Sequence, residues 1–156
     1  MQYKVEIFNK KDIHDGAADN FKKDIADLGV RSAQGADVNS LYLIEGNLSD
    51  RDVIIICNKL LADPVTQDFS FKQLKQSEKQ IKSSANVFSI EVFCKPGVTD
   101  AAGESAKIGI SDLGIKGVDS VRTGMKYIVE GITKEETVKI SEKLLANKVV
   151  HNYTIQ

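Results

Sequence analysis

Tryptophan is absent from this 156-residue chain, and six Phe and four Tyr are its only large aromatics. Stacking platforms for bases are therefore scarce. A net charge of −1 offers no general attraction for nucleic acid or for an anionic membrane. Cysteine is rare too, with two in the chain. Cys57 and Cys94 have no motif spacing and read as small buried hydrophobes in a reducing compartment. The two histidines, His14 and His151, have no Cys or second His nearby, which argues against zinc. No apolar run approaches the ~20 residues of a membrane span. A P-loop, a Rossmann glycine fingerprint after a strand, and a Ser or Cys in a nucleophile context are all missing. The start, MQYKVEIFNKK, alternates as a strand does and does not read as a signal peptide, so the expected compartment is the cytoplasm.

What the chain does contain is a duplication. KLLADPVTQDFSF at 59–71 reappears as KLLANKVVHNYTI at 143–155. VEIFNKKDIHDGAADNFKKDIADLG, from Val5, lies over IEVFCKPGVTDAAGESAKIGISDLG, from Ile90, with an offset of 85. Glu6, Phe8, Lys10, Asp15, Ala17, Lys22, Ile25, Asp27, Leu28 and Gly29 all recur, and Tyr42, Glu45 and Gly46 keep the register. One residue is then dropped, and the offset becomes 84. So many ordered matches with a single gap define repeats at 1–71 and 86–156.

Each copy reads β-α-β-β-α-β. Tyr3, Val5 and Ile7 alternate with Lys4, Glu6 and Phe8, and Phe88, Ile90 and Val92 do the same in the second copy, as half-buried strands do. Asp15 and Asp100 are N-cap acceptors for the first helix. Its apolar stripe is Ala18, Phe21, Ile25 and Leu28, or Gly103, Ala106, Ile110 and Leu113, and Gly29 or Gly114 ends it. Two strands are expected next, over 30–38 and 41–45, or 115–123 and 126–130. A hairpin turn at Asn39 or Gly124 would join them, since both residue types tolerate positive φ. The second helix opens at Ser49 or Thr133, followed by Asp52 or Glu136, with Val53, Ile56 and Leu60, or Thr137, Ile140 and Leu144, as its stripe. Asp63 with Pro64, or Asn147, then stops the helix, and the closing strand alternates from Val65 or from Val149.

The expected fold class is therefore α+β: two ferredoxin-like repeats, each an antiparallel four-stranded sheet with both helices on one face. A unit of this size buries only a modest core, and its other sheet face carries Phe8 or Phe93. The two copies are thus expected to pack as an internal pseudo-two-fold dimer. Residues 72–85, KQLKQSEKQIKSSA, match nothing in the repeat and read as a polar, Lys-rich linker or short exposed helix. A nucleic-acid patch is the sharper reading, and the lack of nearby aromatics argues against it.

Little here suggests bond-breaking chemistry. Asp15 with Asp19, and Asp100 with Glu104, sit at helix starts, where capping and dipole stabilisation account for them. Arg122 and Lys126 flank the expected turn in the second copy only, since the first has Asp37 and Leu41 there. They read either as a solvated hairpin or as a contact to a partner protein or an anionic ligand.

The second copy resembles PurS, the small subunit of the multi-subunit phosphoribosylformylglycinamidine synthase. The resemblance rests on Lys95, Pro96, Gly97, Val98, Asp100 and Gly103, on Leu113 and Gly114, and on Val121, Arg122 and Gly124. It ends with Leu144, Leu145, Ala146, Asn147, Val149 and Tyr153. Met125 stands where the family's turn Lys is expected, with Lys126 one place later, and Lys148 replaces a Pro that the first copy keeps as Pro64. The first copy has lost the Pro-Gly-Val start and the Val-Arg-x-Gly turn. The tandem is similar to the N-terminal domain of the large single-chain synthases.

The resemblance implies a non-catalytic assembly subunit, without a cofactor or metal of its own. It would bridge an ATP-using synthetase (PurL-like) and a glutaminase (PurQ-like) component and help ammonia pass between them. Whether the pseudo-dimer pairs again is left open. A reading from another class is a ligand-binding regulatory module of the ACT type, since ferredoxin-like repeats also bind small effectors. An RNA-binding domain would need exposed aromatics on central strands among basic residues, and that signature is missing.

Overall fold

The structure, a computed structural model, describes residues 1–75 and 86–156. In chain order the elements are β1 (Gln2–Asn9), α1 (Gly16–Asp27), β2 (Gly35–Gly46), α2 (Asp50–Ile56), β3 (Gln67–Leu74), β4 (Val87–Cys94), α3 (Ala101–Asp112), β5 (Val118–Glu130), α4 (Lys134–Ile140) and β6 (His151–Ile155). The α+β class and the duplication hold. β3 runs through Lys72–Leu74, three residues past the expected end of the first repeat, and most of the expected linker, 76–85, lies outside the described residues.

Local chemistry builds the elements as the residues dictate. The Asp15 carboxylate accepts from the amides of Ala17 and Ala18, and Asp100 accepts from Gly103. Both first helices end in Schellman motifs. Gly29 donates to Ala26 and Val30 to Ile25; Gly114 donates to Ser111 and Ile115 to Ile110. Gly29 and Gly114 have φ of 98° and 82°, which an L side chain rarely adopts. Ser49 with Asp52, and Thr133 with Glu136, close full capping boxes.

Each second helix ends in a π turn, Cys57–Leu61 or Ser141–Leu145, closed by Ala62 N–H to Cys57 O and by Ala146 N–H to Ser141 O. The wider turn brings Cys57 fully inside and leaves Leu60 39% exposed, so Leu60 is not the buried end of the stripe that plain helical spacing predicts. Leu113, a C-cap residue, is likewise 38% exposed. Val65 and Val149 also lie outside the closing strands, in turns that expose them at 76% and 79%.

The larger correction concerns the expected hairpin. No turn forms at Asn39 or at Gly124, and neither residue has positive φ. β2 and β5 each run on as one long strand, and the strands lie in the order β3-β1-β2-β5-β4-β6. β1 pairs antiparallel with β2 and β3, and β4 pairs antiparallel with β5 and β6. The chain divides into two compact units, and two of the dividing points are 39/40 in β2 and 123/124 in β5, where the turns were expected; others, 13/14 and 98/99, lie in the loops before α1 and α3. The units therefore do not follow the repeats.

The first unit holds β1, the 40–46 part of β2, α2, β3, α3 and the 118–123 part of β5. Tyr3, Val5, Ile7, Ile44, Val53, Ile56 and Cys57 from the first repeat pack with Ala106, Ile110 and Val121 from the second. The second unit holds α1, the 35–39 part of β2, β4, the 124–130 part of β5, α4 and β6. There Phe21, Ile25 and Val30 from the first repeat pack with Ile90, Val92, Val129, Ile132 and Ile140 from the second, and Phe21 meets Tyr127 with ring centroids 4.9 Å apart. Each unit is thus four strands with two helices, as expected, but one helix and one strand segment come from the other repeat. This is the exchange that an opened hairpin makes in a swapped dimer. Ile25 and Ile110 are fully buried, and losing either to Ala would cost about 2–5 kcal/mol.

A protease site placed within 76–85 and cut after folding is expected to leave both fragments together. They should elute in gel filtration as the uncut chain does, because each core needs side chains from both repeats. Fragments that separate without denaturant would contradict the exchange.

Candidate functional site

The residue pair singled out from the sequence lies on β5. Arg122 belongs to the first unit and Lys126 to the second, both half-buried. Val121 lies in the first core and Tyr127 packs on the second, so strand alternation places Arg122 and Lys126 on the face away from those cores. Lys126 stands opposite Glu91 in the β4–β5 register.

Next to Arg122, in the first unit, an ordered polar site is built on Asp100. One carboxylate oxygen accepts from Gly103 N at 2.8 Å and from Thr123 Oγ1 at 2.8 Å, and the other accepts from Thr123 N at 2.6 Å. The N-terminus of α3 is thereby tied to β5. Burial alone would push the Asp100 carboxyl up. The hydrogen bonds from Thr123 and Gly103, with the Arg122 charge nearby, outweigh burial and hold it below its usual range. Tyr42 responds in the opposite sense: burial, and then the Asp100 carboxylate, push its phenol up. The approach of α3 to the strand is close. A Cβ on Gly103 would lie 2.4 Å from Val121 O, so only glycine fits.

The first copy lacks this arrangement. Asp15 caps its helix, but the position aligned with Thr123 is Val38, which has no hydroxyl, and Gly103 is matched by Ala18. The role of Thr123 is not legible in the sequence, because its separation of 23 positions from Asp100 follows no local spacing rule. The signal that was present is the paired difference: Asp100 with Thr123 in one copy, Asp15 with Val38 in the other. At Gly124, read as a turn residue, a Cβ would lie 2.5 Å from the Phe93 ring, so the glycine serves packing.

The other candidates fall elsewhere. Nε2 of His14 lies 3.0 Å from the Asp19 carboxylate, and Nδ1 of His151 accepts from Asn147 N at 3.1 Å. Among the described residues no three His, Cys, Asp or Glu gather as a metal site would require. Neither cysteine forms a disulfide, and burial pushes the Cys57 thiol up to about 12. In the second unit a cavity of about 430 Å³ is lined by Lys22, Ala26, Asp27, Val30, Arg31 and Ala33. No helix among the described residues is long and apolar enough to cross a membrane.

Comparison with known proteins matches this chain twice to one family model. The PurS model, described as phosphoribosylformylglycinamidine (FGAM) synthase, covers residues 2–75 and 87–156. A relative from Synechocystis sp., named phosphoribosylformylglycinamidine synthase subunit PurS, is 35% identical over 74 residues. That alignment covers 43% of this chain and 73% of the relative.

Replacing Asp100 by Ala is expected to cost about 1–2 kcal/mol at neutral pH, more than Asp15→Ala, because strand bonds are lost with the cap. The folded state depresses this carboxyl, so its contribution is present above the usual Asp range and lost as pH falls through it. In urea titrations the gap between the wild type and D100A should narrow below about pH 4. Cys57, raised and buried, should resist a maleimide at pH 8 in the folded chain and react once the chain is unfolded, as read by mass spectrometry.

Proposed function

The chain belongs to the PurS family, and on that premise we propose that it is a non-catalytic assembly component of phosphoribosylformylglycinamidine synthase in purine biosynthesis. It joins the synthetase and glutaminase components of that enzyme and aids the passage of ammonia between them. The observation that carries this reading is the double match: less than half of this chain aligns with most of the length of the relative. One polypeptide thus supplies in tandem what that relative carries once. The chemistry of amide transfer then belongs to the partners, and the fold of this chain supplies the surface on which they meet.

We place a contact of that assembly at Arg122 in the first unit, and a separate one at Lys126 in the second. Asp100 and Thr123 fix the backbone of β5 beside Arg122, and the first copy has no basic residue at either aligned position. Ordered backbone beneath a cation suits recognition of an acidic partner surface, where charge complementarity speeds encounter and fixes orientation.

The direct test is reconstitution. The chain is expected to co-purify with synthetase and glutaminase components and to restore glutamine-dependent amidine formation to them. Arg122→Gln is a gentler probe than charge reversal, which would set a second carboxylate beside Asp100. It should weaken that co-assembly roughly tenfold or more with the melting temperature little changed. A variant that assembles as tightly as the wild type removes Arg122 from the contact. A chain that binds neither component removes the assembly role itself.

A further inference from the structure

The outer helix surfaces of the two units differ in a way that neither fold nor family requires. In the first unit Ile54, Ile55, Leu60, Ile108 and Leu113 are exposed at 43%, 36%, 39%, 63% and 38%. In the second, Lys139 stands at the position aligned with Ile55 and Lys23 at that aligned with Ile108, both exposed. Val138, Leu144 and Leu28, aligned with the other three, are half-buried. The same scaffold therefore shows water lysines on one unit and large aliphatic side chains on the other. Single exposed aliphatics need no explanation, but a group of them on two touching helices does. The two elements do touch: a Cβ on Gly109 would lie 2.8 Å from Leu60 Cδ1, so Leu60 rests on α3 beside Ile108. The residue aligned with Gly109 is Asp24, which would not offer that flat seat.

We propose that this face, the α2 helix with its π turn and α3, is where a second copy of this chain docks. Charge selects that occupant. Around the aliphatic residues, α2 and its π turn expose Arg51 and Lys59, while α3 exposes Glu104 and Asp112. Asn58, Ser105 and Ser111, also exposed, add no charge. Two further charges nearby are engaged within the unit: Asp50 accepts from Tyr3 OH at 2.9 Å, and Lys107 donates to Asp119 O at 2.7 Å. A two-fold axis through the patch sets the α2 side of one copy on α3 of the other. Arg51 and Lys59 then meet Glu104 and Asp112 twice over, around a centre of Ile55, Ile108 and Leu60. An isologous contact needs such a self-complementary surface. A surface built for a strongly charged partner would carry one sign of charge instead. The second unit, with Lys23 and Lys139 at its centre, takes no part.

The test uses the full chain and residues already tolerated on its twin. Sedimentation equilibrium of the wild type should show a reversible dimer. The double variant Ile55→Lys, Ile108→Lys copies the aligned residues of the second unit, should fold with an unchanged circular dichroism spectrum, and should raise the dimer dissociation constant roughly thirtyfold or more. Reversing Arg51 and Lys59 to Glu should also weaken the dimer, and adding Glu104→Lys with Asp112→Lys should restore it. A wild type that stays monomeric at high concentration would overturn the proposal. So would a dimer that is indifferent to both sets of changes, or charge reversals that the compensating pair does not rescue.

Discussion

Two strands that do not turn back govern this fold. At Asn39 and at Gly124 the backbone stays extended, and β2 and β5 each continue from one compact unit into the other. A strand that keeps its ladder carries its chain onward, so the helix just before β2 or β5 belongs to one core and the helix just after it to the other. α1 is thereby delivered to β4 and β6, and α3 to β1 and β3. Glycine at 124 does not oppose this. Its missing Cβ makes room for the Phe93 ring, a packing demand that any extended backbone can meet.

The exchange explains what could be read in the sequence and what could not. Caps, Schellman ends and strand faces depend on residues within a few positions of each other, and Asp15, Gly29, Ser49 and the Tyr3–Val5–Ile7 face behave as their local chemistry requires. Whether a helix covers its own sheet or its twin's leaves no such trace. The apolar stripe of α3 is the same in either case, because both sheets present aligned residues. Asn39 and Gly124 favour a turn only as an isolated pair of residues, and long-range pairing overrode that preference. Leu60 escaped the stripe for a different reason: hydrophobic periodicity assumes 3.6 residues per turn, and the π turn breaks that spacing. The Asp100–Thr123 tie was visible only as a difference between the two copies.

Divergence between the copies has been absorbed without disturbing the shared hardware. Where the first unit has Val53 and Cys57 fully buried, the second has Thr137 and Ser141. Those hydroxyls donate to Thr133 O and Thr137 O, each at 2.8 Å, so both polar groups are satisfied by the helix that carries them. Burying them this way avoids the 1–3 kcal/mol that an unpaired polar group costs, and the π turn survives in both copies.

Interleaving also sets a timetable on the ribosome. The first unit cannot close until α3 and residue 123 have emerged, and the second waits for β6, which ends at Ile155. Until then the nascent first repeat holds α1 with no sheet of its own to cover. Its apolar stripe stays open to chaperones until β6 has been made.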